Sequence, residues 1–370
     1  MKVPVATPDI TDEDVQKVSE CVKSGWVSGI SPYVTEFEEK FAEWNGSKYA
    51  TVTGSGTTAL HLALAALGLP PGSEVIMPSL TMIASANACN YLGLKPVFAD
   101  IEPDTWCVNP EKIEEVITPD TKAIMPVHIY GHPCDMGRIM EIAWDHDLMV
   151  VEDCAEAHGA TWKKKKVGTF GDMNAYSFYA NKIITTGEGG IITTDDRELD
   201  DKAKWLRAHA FGKHGKHYWH DTVGYGYRMS GMQAALGTSQ LSRIDYYINK
   251  RRLHAWYYKS KLKPLEEAGL ITMPVQRENY ENVYWMFSVI FSPELLSRVP
   301  RASIIAEMEN LGIETRTFFY PLHNLPPYWS DKPLPITDDV SRRGINLPSG
   351  NQLTNEQIEY VCDCLKEIIS

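Results

Sequence analysis

Short apolar runs return about every 25 residues along the first half of this chain, with helix-like stretches between them. The clearest are Glu74-Val-Ile-Met-Pro78, Pro96-Val-Phe-Ala-Asp100, Ala123-Ile-Met-Pro-Val-His128 and Met149-Val-Val-Glu152. Thr58-Ala-Leu-His-Leu-Ala-Leu-Ala-Ala-Leu67 reads as one of the helices, and Pro70-Pro-Gly-Ser73 and Ile101-Glu-Pro-Asp104 read as turns. Strands alternating with helices imply βα units on a mostly parallel central sheet, the α/β class. After Tyr246 the pattern changes to a charged helix, Asn249-Lys-Arg-Arg-Leu-His-Ala-Trp256, and then to mixed strand and helix signals up to Ser370. Residues 1–245, N-terminal segment included, are expected to form a large domain and residues 246–370 a smaller α+β domain. At 370 residues the chain is long enough to give both a buried core.

One apolar run ends in chemistry. Leu148 to Val151 leads into Glu152-Asp153-Cys-Ala-Glu156-Ala-His-Gly159, and the next connection is Ser177-Phe-Tyr-Ala-Asn-Lys182-Ile-Ile-Thr-Thr-Gly-Glu-Gly-Gly190. An acid closing a buried strand, then a hydroxyl and a lysine, is the set that a pyridoxal phosphate (PLP) site needs. The lysine forms the Schiff base, and the acid keeps the pyridine nitrogen protonated so that the ring can take up electrons. Ser177, five residues before Lys182, can give its hydroxyl to the cofactor phosphate. Taken singly, such a lysine is usually solvated and such an Asp often caps a helix; the two segments together favour the cofactor.

A second anion-binding element lies at Tyr49-Ala-Thr-Val-Thr-Gly54-Ser-Gly-Thr-Thr-Ala59, a strand running through a glycine-rich turn into a helix. Such a turn offers backbone N–H groups and a positive helix end to a phosphate. It imitates a dinucleotide fingerprint, with Glu74 downstream. The ribose-binding acid of that motif should end the second strand, whereas Glu74 precedes Val75-Ile-Met, so a nicotinamide site is set aside.

The Lys182 segment resembles the signature of the DegT/DnrJ/EryC1/StrS sugar aminotransferases, close to Ser-Phe-x-x-x-Lys-x-x-Thr-x-Gly-Glu-Gly-Gly. Further matching stretches are Ser24-Gly-Trp-Val-Ser28, Val127-His-Ile-Tyr-Gly-His-Pro-Cys-Asp-Met136, His217-Tyr-Trp-His-Asp221, Gly224-Tyr-Gly-Tyr-Arg-Met229, Glu314-Thr-Arg316, Phe319-Tyr-Pro-Leu-His323 and Arg343-Gly-Ile-Asn-Leu-Pro-Ser349. The resemblance covers essentially the whole chain. It implies the type I aminotransferase fold and a homodimer with active sites at the subunit interface. It also implies that Asp153 pairs with the pyridine nitrogen, Glu156 lies beside the ring hydroxyl, Ser177 and the backbone at Gly56 and Thr57 hold the phosphate, and Lys182 is Schiff base and proton shuttle. Arg228, Tyr320 and His323 become candidates to reach a carboxylate or sugar.

The resemblance further implies ping-pong transfer of an amino group from glutamate to a keto sugar. The stretches from Val127 and from His217 lie nearer to members that aminate the C-4 ketone of a GDP-linked 6-deoxyhexose than to the family at large. An aminotransferase acting on another keto or aldehyde sugar is the alternative. A related dehydratase would have histidine in place of Lys182. A regulator would need a DNA-reading element, and no helix-turn-helix segment is found. Three positions depart from the family pattern. Met82 stands where an aromatic residue usually stacks on the ring, Gly226 where an Asn usually reaches the partner's phosphate, and Gly231 where Asn or Asp is usual. Fewer stacking and donor groups should loosen the cofactor.

The net charge of −12 argues against nucleic acid or an anionic membrane as partner, so a nucleotide sugar would need a local basic patch. No long apolar run and no charged-then-apolar leader at Met1-Lys-Val-Pro-Val is found, which points to the cytoplasm. Seven scattered cysteines read as buried thiols of a reducing compartment. No metal is expected: His209, His214, His217 and His220 are close in sequence, but Gly212 and Gly215 interrupt them. Cys362 and Cys364 read as one buried and one exposed position of a helix. Lys163 to Lys166 reads as a solvated hairpin turn. His158 is read equally as a packed side chain and as an acid or base.

Overall fold

In the computed structural model, which describes residues 1–212 and 218–369, the four apolar runs become strands of one sheet. Its spatial order is Tyr49–Thr53, Gly190–Thr194, Met173–Ser177, Met149–Asp153, Thr121–Ile124, Glu74–Pro78, Lys95–Ala99. Neighbours from Met173–Ser177 to Lys95–Ala99 are parallel. Gly190–Thr194 alone runs against both of its neighbours.

Side chains alternate across each strand, and both faces are covered. Val150, Ile124 and Ile76 pack with Phe37, Phe41 and Ile139 on one side. Val151, Ala123 and Val75 pack on the other with Leu60, Leu62 and Leu64 of the helix Gly56–Leu67. Each such leucine contributes about 1.5–3 kcal/mol by leaving water. That helix starts two residues before Thr58 because Ser55 caps it, accepting the Thr58 N–H while Thr58 bonds back. It ends at Gly68, whose φ of 71° is the left-handed turn a glycine supplies freely.

The charged stretch after Tyr246 lies within a longer helix, Ile244–Glu267. Beyond it, Ile271–Thr272, Phe287–Phe291, Gly344–Leu347 and Arg316–Thr317 form an antiparallel sheet in that order. Tyr258 of the helix stacks on Phe287 with ring centroids 4.6 Å apart. The chain's first residues join this second core, where Val3 bridges to Ile313. Among the described residues no helix is long and apolar enough to cross a membrane.

Two expectations are corrected. Cys362 and Cys364 are both buried, because the helix Asn355–Ile369 packs against Ile244–Glu267 and also against Arg301–Asn310. Positions two apart point to different sides of a helix, but here both sides are covered. Lys163 to Lys166 does form a hairpin, Thr161–Trp162 with Lys165–Lys166. Lys163 to Lys165 are exposed, with Lys163 and Lys165 4.4 Å above Trp162 and Phe170, and only Lys166 departs from a solvated turn: it is half-buried, donates to the Trp44 carbonyl and lies 4.0 Å above its ring. Ammonium groups over aromatic faces gain from the ring quadrupole.

Candidate active site

The C-terminal ends of parallel strands are where an α/β sheet opens a crevice. Here the ends of Met149–Asp153 and Met173–Ser177 meet the turn after Tyr49–Thr53, enclosing a cavity of about 380 Å³. Gly56, Thr57, Met82, Asp153, Glu156, Ser177 and Lys182 all line it, so the structure gathers these seven residues.

Asp153 is buried at its strand end. Its Oδ2 accepts the Ser85 hydroxyl at 2.8 Å, and its Oδ1 accepts the Ala155 N–H at 3.1 Å. Burial raises its pKa, with Ser85, Ala155 and Lys182 opposing. Glu156 accepts the Tyr130 N–H at 2.8 Å, and its Oε1 is 3.8 Å from Lys182 Nζ. Burial pushes its pKa up to about 7; Lys182 and the Tyr130 N–H pull against this, and Asp153 adds to it. Lys182 is itself about 10% exposed, and burial lowers its pKa against the pull of the two acids.

At the other end of the cavity, a Cβ on Gly56 would come within 2.6 Å of Ser177 Cβ and 2.9 Å of its Oγ. Only glycine lets the helix N-terminus approach this hydroxyl so closely. Ser55 takes the Thr58 N–H, and the N–H groups of Gly56 and Thr57, without an intrahelical acceptor, are left for an anion beside Ser177.

The other candidates lie elsewhere. Arg228, Tyr320 and His323 are not in the lining formed by this chain. Arg228 packs over the Gly29 backbone, and Tyr320 is exposed. His323 is buried with Nδ1 2.8 Å from Ser79 Oγ and Nε2 3.4 Å from Asp338, beside a separate groove with Lys95 and Trp329. His158 is a packed histidine against Tyr176 and Phe178, its pKa lowered to about 3 by burial. His214 and His217 lie outside the described residues, so the histidine group and the match beginning at His217 are only partly seen. The cavity itself is of mixed charge, with Asp153, Glu156 and Glu188 beside Lys182 and Arg316.

Several lining residues carried no role in the sequence reading, namely Ala84, Tyr130, Trp285, Arg316 and Asn346. Ser85 itself sits behind Asp153. Tyr130 and Arg316 fall in stretches that resemble the family, which was the available signal; Ser85 and Trp285 had none. The three departures differ physically. Met82 is 52% exposed on the cavity. A Cβ on Gly226 would meet only the tip of the His209 imidazole, at 3.0 Å. A Cβ on Gly231 would lie 2.2 Å from the Trp26 carbonyl oxygen, so there the backbone packing itself demands glycine.

Residues 8–366 match the DegT/DnrJ/EryC1/StrS aminotransferase family. The chain is similar to a GDP-perosamine synthase of Escherichia coli O157:H7, 44% identical over 100% of this chain and 99% of that protein. It is also similar to a GDP-perosamine synthase of Caulobacter vibrioides, 42% identical over 100% of this chain and 98% of that one. An aminotransferase from Psychrobacter cryohalolentis, solved by X-ray, superposes with a TM-score of 0.93 at 32% identity, covering 98% of both chains. With its mostly parallel sheet and the full-length match, the chain belongs to the PLP-dependent DegT/DnrJ/EryC1/StrS aminotransferase family, and it is an aminotransferase.

Proposed function

We propose that the chain uses pyridoxal phosphate to move an amino group from glutamate to the C-4 ketone of GDP-4-keto-6-deoxymannose, giving GDP-perosamine. The observation that carries the chemistry is the meeting of Lys182, Asp153, Glu156 and Ser177 in one cavity. The substrate rests on full-length relatives that are GDP-perosamine synthases. The residues fit the cofactor: the Gly56 cradle and Ser177 suit a phosphate, and the buried Asp153 carboxylate in the same cavity would suit a ring nitrogen.

When bound, pyridoxal phosphate supplies an aldehyde carbon to carry the amino group and a ring to accept the electrons left by proton removal. Lys182 Nζ, whose burial favours the neutral amine, takes the proton from the donor's α-carbon. Asp153 holds a proton on the ring nitrogen, and Ser85 and the Ala155 N–H fix that carboxylate. Glu156, pushed up to about 7 by burial, would share a proton with the ring hydroxyl. Trp285 walls one side of Lys182, its ring 3.8 Å from Nζ, and keeps water from it.

The active form is taken to be a cytoplasmic homodimer in which Arg228 and its segment complete the partner's cavity. Tyr320 and His323 remain candidates for the sugar end. Residues 1–245 are taken as the cofactor unit and 246–370 as the smaller one, with Val3 of the first segment packed in the core of the second. The test is a set of nucleotide-linked keto sugars incubated with glutamate and read by mass spectrometry. Amination of the GDP-linked 4-keto sugar supports the proposal. Amination of another 4-keto sugar alone would keep the chemistry and remove the substrate. Borohydride should trap a covalent adduct on Lys182; an adduct and normal turnover in Lys182→Ala would remove Lys182 from its role.

A further inference from the structure

Lys182 is held from outside its own loop. The carbonyl just before it, that of Asn181, accepts the Trp285 indole N–H at 2.8 Å. The carbonyl just after it, that of Ile183, accepts the Asn351 amide at 2.8 Å. Both holders converge on one side chain. Arg251 donates from Nε to Asn351 Oδ1 and from Nη1 to the Trp285 carbonyl, each at 2.7 Å. Arg251 lies on the helix Ile244–Glu267, is only 2% exposed, and has no carboxylate ion partner among the described residues.

A buried guanidinium without a carboxylate is costly, because it stays charged and loses its hydration. Neutral packing would be expected if the position served stability alone. What the charge gains here is geometry. Its planar fork fixes Trp285 and Asn351 relative to one another, and these fix the two peptide carbonyls that bracket Lys182.

We propose that Arg251 is the positioning residue for Lys182, setting from the C-terminal part of the chain where the amine points. The groups facing Lys182 pull in opposite directions. Burial and the Arg251 charge disfavour its charged form, while Glu156, Asp153 and the face of the Trp285 ring favour it. This inference rests on the reading of Lys182 as the cofactor-bearing amine, but its test does not need the cofactor.

The experiment is competitive acetylation of Lys182 in the cofactor-free protein across pH, read by mass spectrometry, beside kcat of the holoenzyme. Arg251→Met removes charge and donors while keeping the stem. Its labelling midpoint should rise by about one pH unit. Its kcat should fall roughly tenfold, with KM for glutamate changed far less. Arg251→Lys should restore the midpoint but not kcat, since a single ammonium lacks the fork. Trp285→Phe and Asn351→Ala keep Arg251 and each break one branch. Each should lower kcat several-fold, Asn351→Ala without moving the midpoint, and they decide the positioning claim if Arg251→Met does not fold. Wild-type midpoint and kcat in a folded Arg251→Met, or wild-type kcat in both branch variants, would overturn the inference. Failure of the Lys182 reading is distinguishable, because it appears as a borohydride adduct that survives Lys182→Ala.

Discussion

The two faces of the sheet at the end of Met149–Asp153 carry carboxylates of nearly equal depth and opposite fate. Glu152 points to one side, where Oε1 accepts N–H groups of Phe170 and Gly171 and Oε2 accepts that of Gly168 and lies 3.0 Å from His128 Nε2. Burial opposes its ionisation, but His128 and the backbone donors outweigh burial and its pKa is lowered. Asp153 points to the other side with two donors, and burial wins. The difference teaches that burial alone does not mark a functional acid. A carboxylate whose lone pairs are used up folds the protein, and one left short of donors beside a cavity is available to a ligand.

Breaking the comparison on the open side should have the largest effect. Asp153→Asn keeps shape and removes the charge, so kcat should drop about a thousandfold, roughly 4 kcal/mol of barrier. Stability of the cofactor-free protein should hold, because its buried site already disfavours that charge. Kinetics beside urea unfolding check both halves; a near-wild-type kcat would take Asp153 out of the site.

On the closed side the pattern should invert. Glu152→Gln leaves one donor facing another and should cost about 3 kcal/mol in urea unfolding, while folded enzyme keeps most of its kcat. The pH dependence sharpens this. A lowered pKa gives stability that is present above the ordinary value of 4.5 and is lost as pH falls through the folded one. Glu152→Gln should therefore flatten the acid limb of stability. Glu156, pushed up to about 7, acts the other way and weakens the cofactor-free protein as pH rises from 4.5 through 7. An unchanged acid limb in Glu152→Gln would mean that other acids set it.

The sequence shows why these two sides were unequally legible. Four apolar runs and the break after Tyr246 gave the central sheet, because strand alternation is a local property. Lys182, Asp153 and Ser177 stood out because their spacing along the chain is fixed by one strand and one loop. Ser85 lies 68 residues from the aspartate it holds, and Arg251 is 100 residues from Asn351. Contacts of that range depend on how helices dock, and no local pattern encodes them. The Cys362 and Cys364 pair was misjudged for the same reason, since a helix's periodicity does not reveal a second neighbour packed on its outer face.

A milder break isolates the donor count. Ser85→Ala leaves Asp153 with the Ala155 N–H and should lower kcat about tenfold, since a hydrogen bond to a charged group is worth roughly 1.5–3 kcal/mol. With one donor fewer the carboxylate's pKa rises further, so the acid limb of kcat should move to higher pH. A pH profile identical to wild type would show that the backbone donor suffices.

The smallest effects concern Met82, which lines the cavity, and Gly226, which lies beside His209, the two positions that depart from the family pattern without a backbone reason. Met82→Tyr offers a larger and stiffer face where an exposed thioether now lines the cavity, and the gain from ring packing is about 0.5–1.5 kcal/mol. Gly226→Asn must first displace the His209 imidazole, 3.0 Å from the new Cβ. That ring is the exposed end of a side chain and can swing, so the substitution should be accepted, with part of its gain lost in moving it. Cofactor retention during dialysis, followed by absorbance, should therefore rise more for Met82→Tyr than for Gly226→Asn, and most for the pair. Gly231→Asn is the contrast, because its Cβ meets a main-chain oxygen that cannot swing aside, and it should lower stability rather than alter retention. Unchanged retention in both Met82→Tyr and Gly226→Asn would mean that other contacts already hold the cofactor, and the donor deficit would then be confined to the Asp153 side.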